Sequence, residues 1–215
     1  MGKSALILVD VQNDFLPGGS LAVPDGHLII PVLNRLMHLP FDFIIATADF
    51  HLPHHSSFAS TWEKKPGEYL LINGVKQILW PDHCVQGSFG AHFSSELDLS
   101  SLDKIIYKGT LLEVDSYSAF FDNKHNTATG LESYLHEQGI SELYFAGLAT
   151  DYCVLYSVRH AHELGFHSTV IVDACKGIDL HPGDIERAFE EMKRLGVILI
   201  SSTDVESQLK ARNNV

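Results

Sequence analysis

The sequence has little cysteine, few basic residues and no long apolar run, and each shortage excludes a class of protein. Only three of the 215 residues are cysteines, and an odd number does not fit the disulfide framework of a small secreted domain. The apolar stretch near the amino terminus ends at Asp10, which makes it too short for a secretory signal. We therefore expect a reducing compartment, the cytoplasm, and at least one free thiol.

The shortage of positive charge limits the partners. There are 15 lysines and arginines against 27 aspartates and glutamates, so the formal net charge is −12 with histidine neutral. Binding to phosphate backbones or to an anionic membrane surface needs a basic face. No stretch reaches the roughly 18 apolar residues of a membrane span. We expect a small-molecule partner, with neither nucleic acid nor membrane; a homo-oligomer is left open.

Short apolar runs alternate with amphipathic segments along the chain. The runs predict buried strands at residues 5–9, 43–48, 104–107, 143–146, 169–172 and 197–200. Helical spacing of apolar residues is clearest at residues 28–36, 154–164 and 182–195. This alternation predicts an α/β fold with a doubly wound, mostly parallel six-stranded sheet and helices on both faces. We expect one domain over residues 1–215, with a metal-binding irregular excursion at about 50–102 and a frayed tail at 213–215.

Three chemically active side chains follow separate predicted strands. In open parallel sheets, ligands bind beyond the carboxyl ends of the strands, so Asp10, Lys108 and Cys153 should meet at one edge. Position alone leaves a small buried hydrophobe as good an interpretation of Cys153 as a nucleophile. As a nucleophile, it would open a helix capped by Thr150 or Asp151, and the helix dipole and Lys108 would favour its thiolate. Asp10 would accept its proton.

Histidines and aromatic residues gather around the same predicted edge. Asp-x-His occurs three times, but only Asp49-x-His51 ends an apolar strand, and His83 follows in the irregular excursion. An aspartate with two histidines suits Zn²⁺, Mn²⁺ or Fe²⁺, although solvated loop histidines are the simpler explanation of the pattern alone. Aromatic residues near these loops are suited to wall a flat pocket, or serve only as core or loop anchors: Phe15, Trp62, Trp80 and Tyr117.

These motifs resemble those of the nicotinamidases, also called pyrazinamidases, among the isochorismatase-like cysteine hydrolases. The resemblance runs from about residue 5 to residue 202, so it covers nearly the whole chain. The motifs that carry it, in order, are Val9-Asp10-x-Gln12-Asn13-Asp14-Phe15, Asp49-Phe50-His51, Trp80-Pro81-x-His83-Cys84-Val85, Lys108-Gly109, Asp115-Ser116-Tyr117-Ser118-Ala119-Phe120 and Gly147-Leu148-Ala149-Thr150-Asp151-Tyr152-Cys153-Val154.

The resemblance implies an enzyme that hydrolyses nicotinamide to nicotinate and ammonia through a cysteine thioester, in the salvage of NAD, and that also accepts pyrazinamide. It implies a catalytic triad of Asp10, Lys108 and Cys153. It also implies a cis peptide at Leu148–Ala149, and an oxyanion hole formed by the backbone N–H groups of Ala149 and Cys153.

The resemblance further implies one divalent metal ion on Asp49, His51 and His83, with Zn²⁺ first and Mn²⁺ or Fe²⁺ as alternatives. Some relatives have a fourth protein ligand about six residues past the histidine; in this chain Ser57 takes that place and is expected to act through water. Phe15 and Trp80 would enclose the pyridine ring, with Tyr117 beside them.

Two other functions stay open at this point. Relatives with the same triad cleave carbamoyl compounds such as N-carbamoylsarcosine or ureidoacrylate, and a lack of bound metal would favour that reaction. A nucleotide-binding domain should show G-x-G-x-x-G after its first strand. The turn here reads Asp10-Val-Gln-Asn-Asp-Phe15, which argues against that class.

Overall fold

A computed structural model describes residues 2–212 of the chain, and six parallel strands form its central sheet. The tail predicted to fray, residues 213–215, lies outside the described residues. The strands of this sheet and of a separate two-stranded sheet are β1 (Lys3–Val9), β2 (Phe43–Asp49), β3 (Tyr69–Ile72), β4 (Val75–Ile78), β5 (Lys104–Lys108), β6 (Ile140–Leu148), β7 (His167–Lys176) and β8 (Ile198–Ile200). The order in the large sheet is β5-β2-β1-β6-β7-β8, and its strand pairs are all parallel.

Helices cover both faces of the sheet. They are α1 (Ile30–Leu36), α2 (Leu131–Gln138), α3 (Leu155–Glu163), α4 (Asp184–Arg194) and α5 (Ser202–Arg212). Alternate residues of β1 point to opposite faces, as the pleat requires. Leu6 and Leu8 pack in the same cluster as α1 and α5, whereas Ile7 packs in the cluster of α2, α3 and α4. The predicted doubly wound α/β fold is confirmed.

The six predicted strands are all present, each within a few residues of its expected bounds, but four elements were not predicted. The excursion between β2 and β5 is largely irregular, yet it contains the antiparallel hairpin of β3 and β4 around Asn73 and Gly74. Helices α2 and α5 were also missed. No helix of the described residues combines the length and the apolar character that crossing a membrane requires.

The sheet and the excursion together build the edge where the predicted site lies. Asp49 is the register partner of Lys108 at the ends of β2 and β5, while Val9 is paired with Gly147. The excursion returns to this edge through a parallel bridge between His51 and Val85. Strand ends and a returning loop therefore bring together residues that are far apart in sequence.

Candidate active site

Asp10, Lys108 and Cys153 meet at the carboxyl edge of the sheet, as the strand-end rule predicted. The Lys108 Nζ lies 2.8 Å from Asp10 Oδ2 and donates to Cys153 Sγ at 3.3 Å. It also donates to Asp49 Oδ1 at 2.5 Å and to the carbonyl of Ser116 at 3.1 Å. The ammonium group thus donates to Asp49, Ser116 and Cys153, and it pairs with Asp10 through its charge.

Asp10 is held so that one carboxylate oxygen remains available for a proton. Its Oδ1 accepts a hydrogen bond from Thr47 Oγ1 at 2.6 Å. Its Oδ2 is buried and has no aligned hydrogen-bond donor among residues 2–212, although the charge of Lys108 is close. Burial raises the pKa of Asp10, and the charge of Lys108 offsets only part of that rise. Such a carboxylate accepts a proton more readily than an exposed one.

Lys108 is charged in spite of complete burial. Burial lowers the pKa of Lys108, but the charges of Asp10 and Asp49 outweigh burial and raise the pKa well above its ordinary value. A buried lysine is tolerated where it is paired in this way. The cation therefore stays fixed beside the sulfur.

The turn that carries Cys153 differs from the expected helix start. Residues Thr150–Val154 form a π-helical turn, and α3 begins only at Leu155. The prediction that Thr150 or Asp151 caps the helix is wrong, because the turn has no side-chain cap. Asp151 instead accepts hydrogen bonds from the backbone N–H groups of Ile178 and Asp179, at 2.9 and 2.7 Å. Its carboxylate ties the nucleophile turn to the loop after β7.

The thiol of Cys153 keeps its proton in the resting site. Burial raises the pKa of Cys153 well above its ordinary value, and the nearby Asp10 and Asp49 charges raise the pKa further. Lys108 lowers the pKa, as expected from the sequence, but not enough to offset these effects. Cys153 is therefore a thiol before attack, and its proton has to leave during attack.

The peptide bond between Leu148 and Ala149 is cis. Ala149 precedes the π-helical turn in extended conformation, and its carbonyl accepts from the N–H groups of Tyr152 and Val154, both at 3.1 Å. Ala149 and Cys153 both line one small cleft at the sheet edge. The predicted oxyanion-hole residues are thus placed beside the same space.

Asp49, His51 and His83 form a compact, buried set of metal-ligating side chains. The Asp49 Oδ2 lies 3.8 Å from His51 Nε2 and 3.9 Å from His83 Nε2. One ligand atom from each residue lies within 4.8 Å of the others. Ligand atoms this close together need to shift only slightly to bind one divalent cation.

Both histidines turn their Nε2 atoms toward this point. Nδ1 of His51 lies 2.9 Å from the carbonyl of Gly109, and Nδ1 of His83 lies 2.7 Å from that of Pro81. A carbonyl accepts, so each Nδ1 carries the proton and each Nε2 keeps its lone pair. In the described part of the chain, the buried His51 Nε2 has no hydrogen-bond partner. The residues present therefore fit a divalent metal ion.

The side chain of Ser57 is held by His55 and is not free to reach the set of Asp49, His51 and His83. Its Oγ lies 2.8 Å from Nδ1 of His55, and its backbone N–H donates to the same nitrogen at 3.2 Å. Nε2 of His55 lies 2.8 Å from the carbonyl of Leu111, so Nε2 carries the ring proton. Ser57 Oγ then donates to His55 and retains lone pairs for a water.

The cleft beside Cys153 has aromatic walls. Three of the four predicted aromatic residues line it, Phe15, Trp80 and Tyr117. The prediction is wrong for Trp62, which is 42% exposed and donates from Nε1 to the carbonyl of Ser56. The Tyr117 hydroxyl accepts from Trp80 Nε1 at 3.0 Å and from Gln77 Nε2 at 2.9 Å. Four further lining residues were missed because loops bring them in: Leu21, Asp115, Tyr152 and Ile178. Tyr152, next to the nucleophile, is the one that its sequence position could have indicated.

Comparison with known proteins gives consistent matches. Residues 69–204 match the family model described as the isochorismatase domain. A nicotinamidase of Acinetobacter baylyi is 46% identical over 202 residues, which are 94% of each chain. A nicotinamidase of Escherichia coli is 43% identical over 209 residues, covering 96% of this chain and 98% of the relative.

Solved structures give the same result. A protein described as a nicotinamidase and pyrazinamidase of Acinetobacter baumanii matches with a TM-score of 0.91 at 45% identity, over 95% of this chain and 99% of that one. An L. infantum protein in complex with nicotinate has a TM-score of 0.83 at 33% identity, over 94% of both chains. A Pyrococcus horikoshii pyrazinamidase in complex with zinc has a TM-score of 0.75 at 36% identity, over 93% of this chain and 99% of that one.

Proposed function

The chain belongs to the isochorismatase family, and within it to the nicotinamidases, and we propose that it hydrolyses nicotinamide through a thioester on Cys153. The products are nicotinate and ammonia. Pyrazinamide is a second substrate, since it differs from nicotinamide only in a ring nitrogen and similar proteins carry both names. The observation that carries the proposal is the contact of Lys108 with both the Cys153 sulfur and the Asp10 carboxylate.

The first half of the reaction forms the thioester. Cys153 Sγ attacks the carboxamide carbon while its proton passes to Asp10 Oδ2. The carbonyl oxygen becomes an oxyanion and is stabilised by the N–H groups of Ala149 and Cys153, where each donor contributes about 10²–10³ in rate. Asp10 then gives the proton to the leaving nitrogen, ammonia departs, and the nicotinoyl group remains on sulfur.

The second half returns the enzyme to its starting state. Asp10, again ionised, removes a proton from a water as its oxygen attacks the thioester carbon. The second tetrahedral intermediate expels the Cys153 sulfur, which regains its proton from Asp10. Lys108 stays protonated throughout, and its charge stabilises the sulfur when it carries negative charge.

The aromatic cleft binds the pyridine ring. Phe15, Trp80 and Tyr117 offer flat apolar surfaces around Cys153, which suits a planar heteroaromatic amide. The hydrogen bond from Trp80 Nε1 to Tyr117 locks the two rings relative to each other. Such a cleft selects for a flat ring over a flexible carbamoyl chain.

Asp49, His51 and His83 would hold one divalent metal ion, with Zn²⁺ the ion bound in a similar solved structure. When bound, that ion supplies a Lewis-acidic point at the cleft for a ring nitrogen or a water. Ser57, whose hydroxyl donates to His55, would accept from a water of that ion. The three unpaired cysteines support a reducing compartment, the cytoplasm, as the place of action.

Ammonia release from nicotinamide tests the function directly. The wild-type enzyme should release ammonia and nicotinate in equal amounts, and Cys153→Ala should release neither while keeping its unfolding midpoint. Cys175→Ala is the matched control, since Cys175 is also a buried free thiol but does not line the cleft. Turnover of N-carbamoylsarcosine without turnover of nicotinamide would overturn the proposal.

A further inference from the structure

A second group of metal-ligating side chains lies outside the cleft, where α3 meets the loop of residues 122–129. His160 and Glu163 are one turn apart on α3, and His125 comes from the loop. One ligand atom of each residue lies within 4.8 Å of the other two. The Nε2 atoms of the two histidines are in direct contact, with ring centroids 4.0 Å apart and planes at 83°. Two ring nitrogens therefore face one point beside a carboxylate.

His160 is the buried member of the group. Its side chain belongs to a residue that is 6% exposed, and its Nδ1 has no hydrogen-bond partner among the residues that the structure describes. Burial, and after it the neighbouring His125, lowers the pKa of His160 to about 4. The ring is therefore neutral at pH 7, which is the form of imidazole that binds a metal.

One carboxylate and one guanidinium group act on His160 from the same helix. Arg159 precedes His160 on α3, but it pairs with Glu191 of α4, donating from Nη2 at 2.7 Å. The carboxylate of Glu163 lies within 4.8 Å of a ring nitrogen of each imidazole. Facing lone-pair nitrogens need either a shared proton or a shared cation between them.

We propose that His125, His160 and Glu163 form a second transition-metal site, separate from the cleft, that takes Zn²⁺. Two imidazoles and one carboxylate are a common ligand set for Zn²⁺, with a water as the fourth ligand. Nitrogen ligands on Zn²⁺ at about 2.0–2.1 Å lie roughly 3.3 Å from each other. The two Nε2 atoms therefore move apart when the ion enters. His125 is exposed and lies in a turn with a φ of 58°, so its loop is the part that shifts.

The site would join two segments that build the cleft. The loop that carries His125 follows Tyr117, and α3 follows the turn of Cys153. Protein hydrogen bonds already connect them: the N–H of Ala119 donates to Ser157 Oγ at 2.9 Å, which donates to the carbonyl of Cys153 at 2.6 Å. An ion bound only by the folded state adds to this connection and stabilises the fold by mass action.

Titration of the enzyme with Zn²⁺, after the first site has been filled, tests the proposal. We expect calorimetry and elemental analysis to show a second equivalent in the wild type and a rise of Tm on its binding. His125→Asn and His160→Gln should each fail to bind the second equivalent of Zn²⁺ and should show no rise of Tm. Both variants should still bind the first equivalent of Zn²⁺ and release ammonia. Asparagine suits position 125 because it tolerates a positive φ.

His162→Asn is the matched control, since His162 is an exposed histidine on the same helix. It should retain the second equivalent. A wild-type enzyme that binds only one equivalent at micromolar free Zn²⁺ overturns the proposal. Equal loss of the second equivalent of Zn²⁺ in the His162 and His125 variants also overturns it. If His160→Gln does not fold, His125→Asn on the exposed loop decides between the outcomes.

Discussion

Gly109 fixes the position of His51 in two ways. Its carbonyl lies 2.9 Å from Nδ1 of His51, which orients the ring. Its missing side chain makes room, since a Cβ at Gly109 would lie 2.4 Å from His51 Cε1 and 2.7 Å from Nδ1. The φ of 63° at Gly109 also favours glycine. The residue after the strand-end lysine thus positions a ligand of the metal set.

Gly109→Ala should weaken metal binding by about 10- to 100-fold, because the ring of His51 has to turn away from Asp49. Metal content after dialysis against graded chelator measures the effect. Gly130→Ala is the control, since its φ is 94° and nothing lies within 4 Å of its added Cβ. Both variants should lose about 1–2 kcal/mol of stability from the left-handed backbone, but only the first should lose metal. Equal metal affinities would contradict the role of Gly109.

Lys108→Met should damage both stability and catalysis. It leaves Asp10 and Asp49 buried without their cation, and breaking a buried ion pair costs about 3–5 kcal/mol. Loss of the charge beside Cys153 should also lower kcat by about 10²-fold or more. Urea unfolding and ammonia release are the measurements.

Lys104→Met serves as the comparison at the other end of the same strand. Lys104 is exposed, and its Nζ lies 5.5 Å from the centroid of the Tyr134 ring. Its loss should cost at most about 1 kcal/mol and leave kcat unchanged. A Lys108 variant as stable as the Lys104 variant would rule out a charged lysine between the carboxylates.

Tyr117→Phe should raise KM for nicotinamide more than it lowers kcat. The change removes the acceptor of Trp80 Nε1, and an unsatisfied buried donor costs about 1–3 kcal/mol. The freed Trp80 ring then loses its fixed orientation in the cleft, while the Cys153 contacts are untouched. Tyr107→Phe, at a tyrosine that is 49% exposed, should change neither constant. A fall in kcat at constant KM would place Tyr117 in the chemical step instead.

Alkylation of Cys153 should accelerate with pH without a plateau. Burial raises the pKa of its thiol well above the ordinary value, so the thiolate is a minor form that grows about tenfold per pH unit. Iodoacetamide labelling of metal-free enzyme between pH 7 and pH 9, followed by peptide mass spectrometry, gives the profile. The metal is removed first because a nearby dication would itself favour the thiolate.

The direction of this pH dependence separates two resting states. A protonated thiol reacts faster as pH rises through the whole range, whereas a thiolate paired with Lys108 reacts at a constant rate. Cys153→Ser should remain unlabelled, because Cys153 lines the cleft and neither Cys84 nor Cys175 does. A plateau below pH 8 would show that the site ionises its cysteine before substrate arrives.

Much of the fold could be predicted from the sequence because buried parallel strands are continuous apolar runs. The hairpin of β3 and β4 was missed although Asn73 and Gly74 are a strong turn signal between its strands. Helix α5 buries only Val205 and Leu209 among its residues up to position 210, too few for a clear period. These elements lie at the margins of the core, where tertiary contacts outweigh local pattern.

Site residues that directly follow a strand could be predicted from the sequence. Site residues that irregular loops bring back to the strand ends could not. Asp49 and Lys108 are register partners in the sheet, and Asp10 directly follows the last residue of β1. Asp115 and Ile178 reach the cleft through irregular segments whose path no periodicity shows. The protonated state of the Cys153 thiol could not be predicted from the sequence either, because it depends on total burial and on two carboxylates from other strands.

Trapping the acyl-enzyme tests directly whether a thioester forms on Cys153. Wild-type enzyme mixed with excess nicotinamide and quenched in acid within the first turnovers should carry one nicotinoyl group on the peptide that contains Cys153. The adduct should disappear as substrate is consumed and be absent from Cys153→Ala. Full turnover with no adduct at any quench time, or an adduct on a different residue, would contradict a thioester on Cys153.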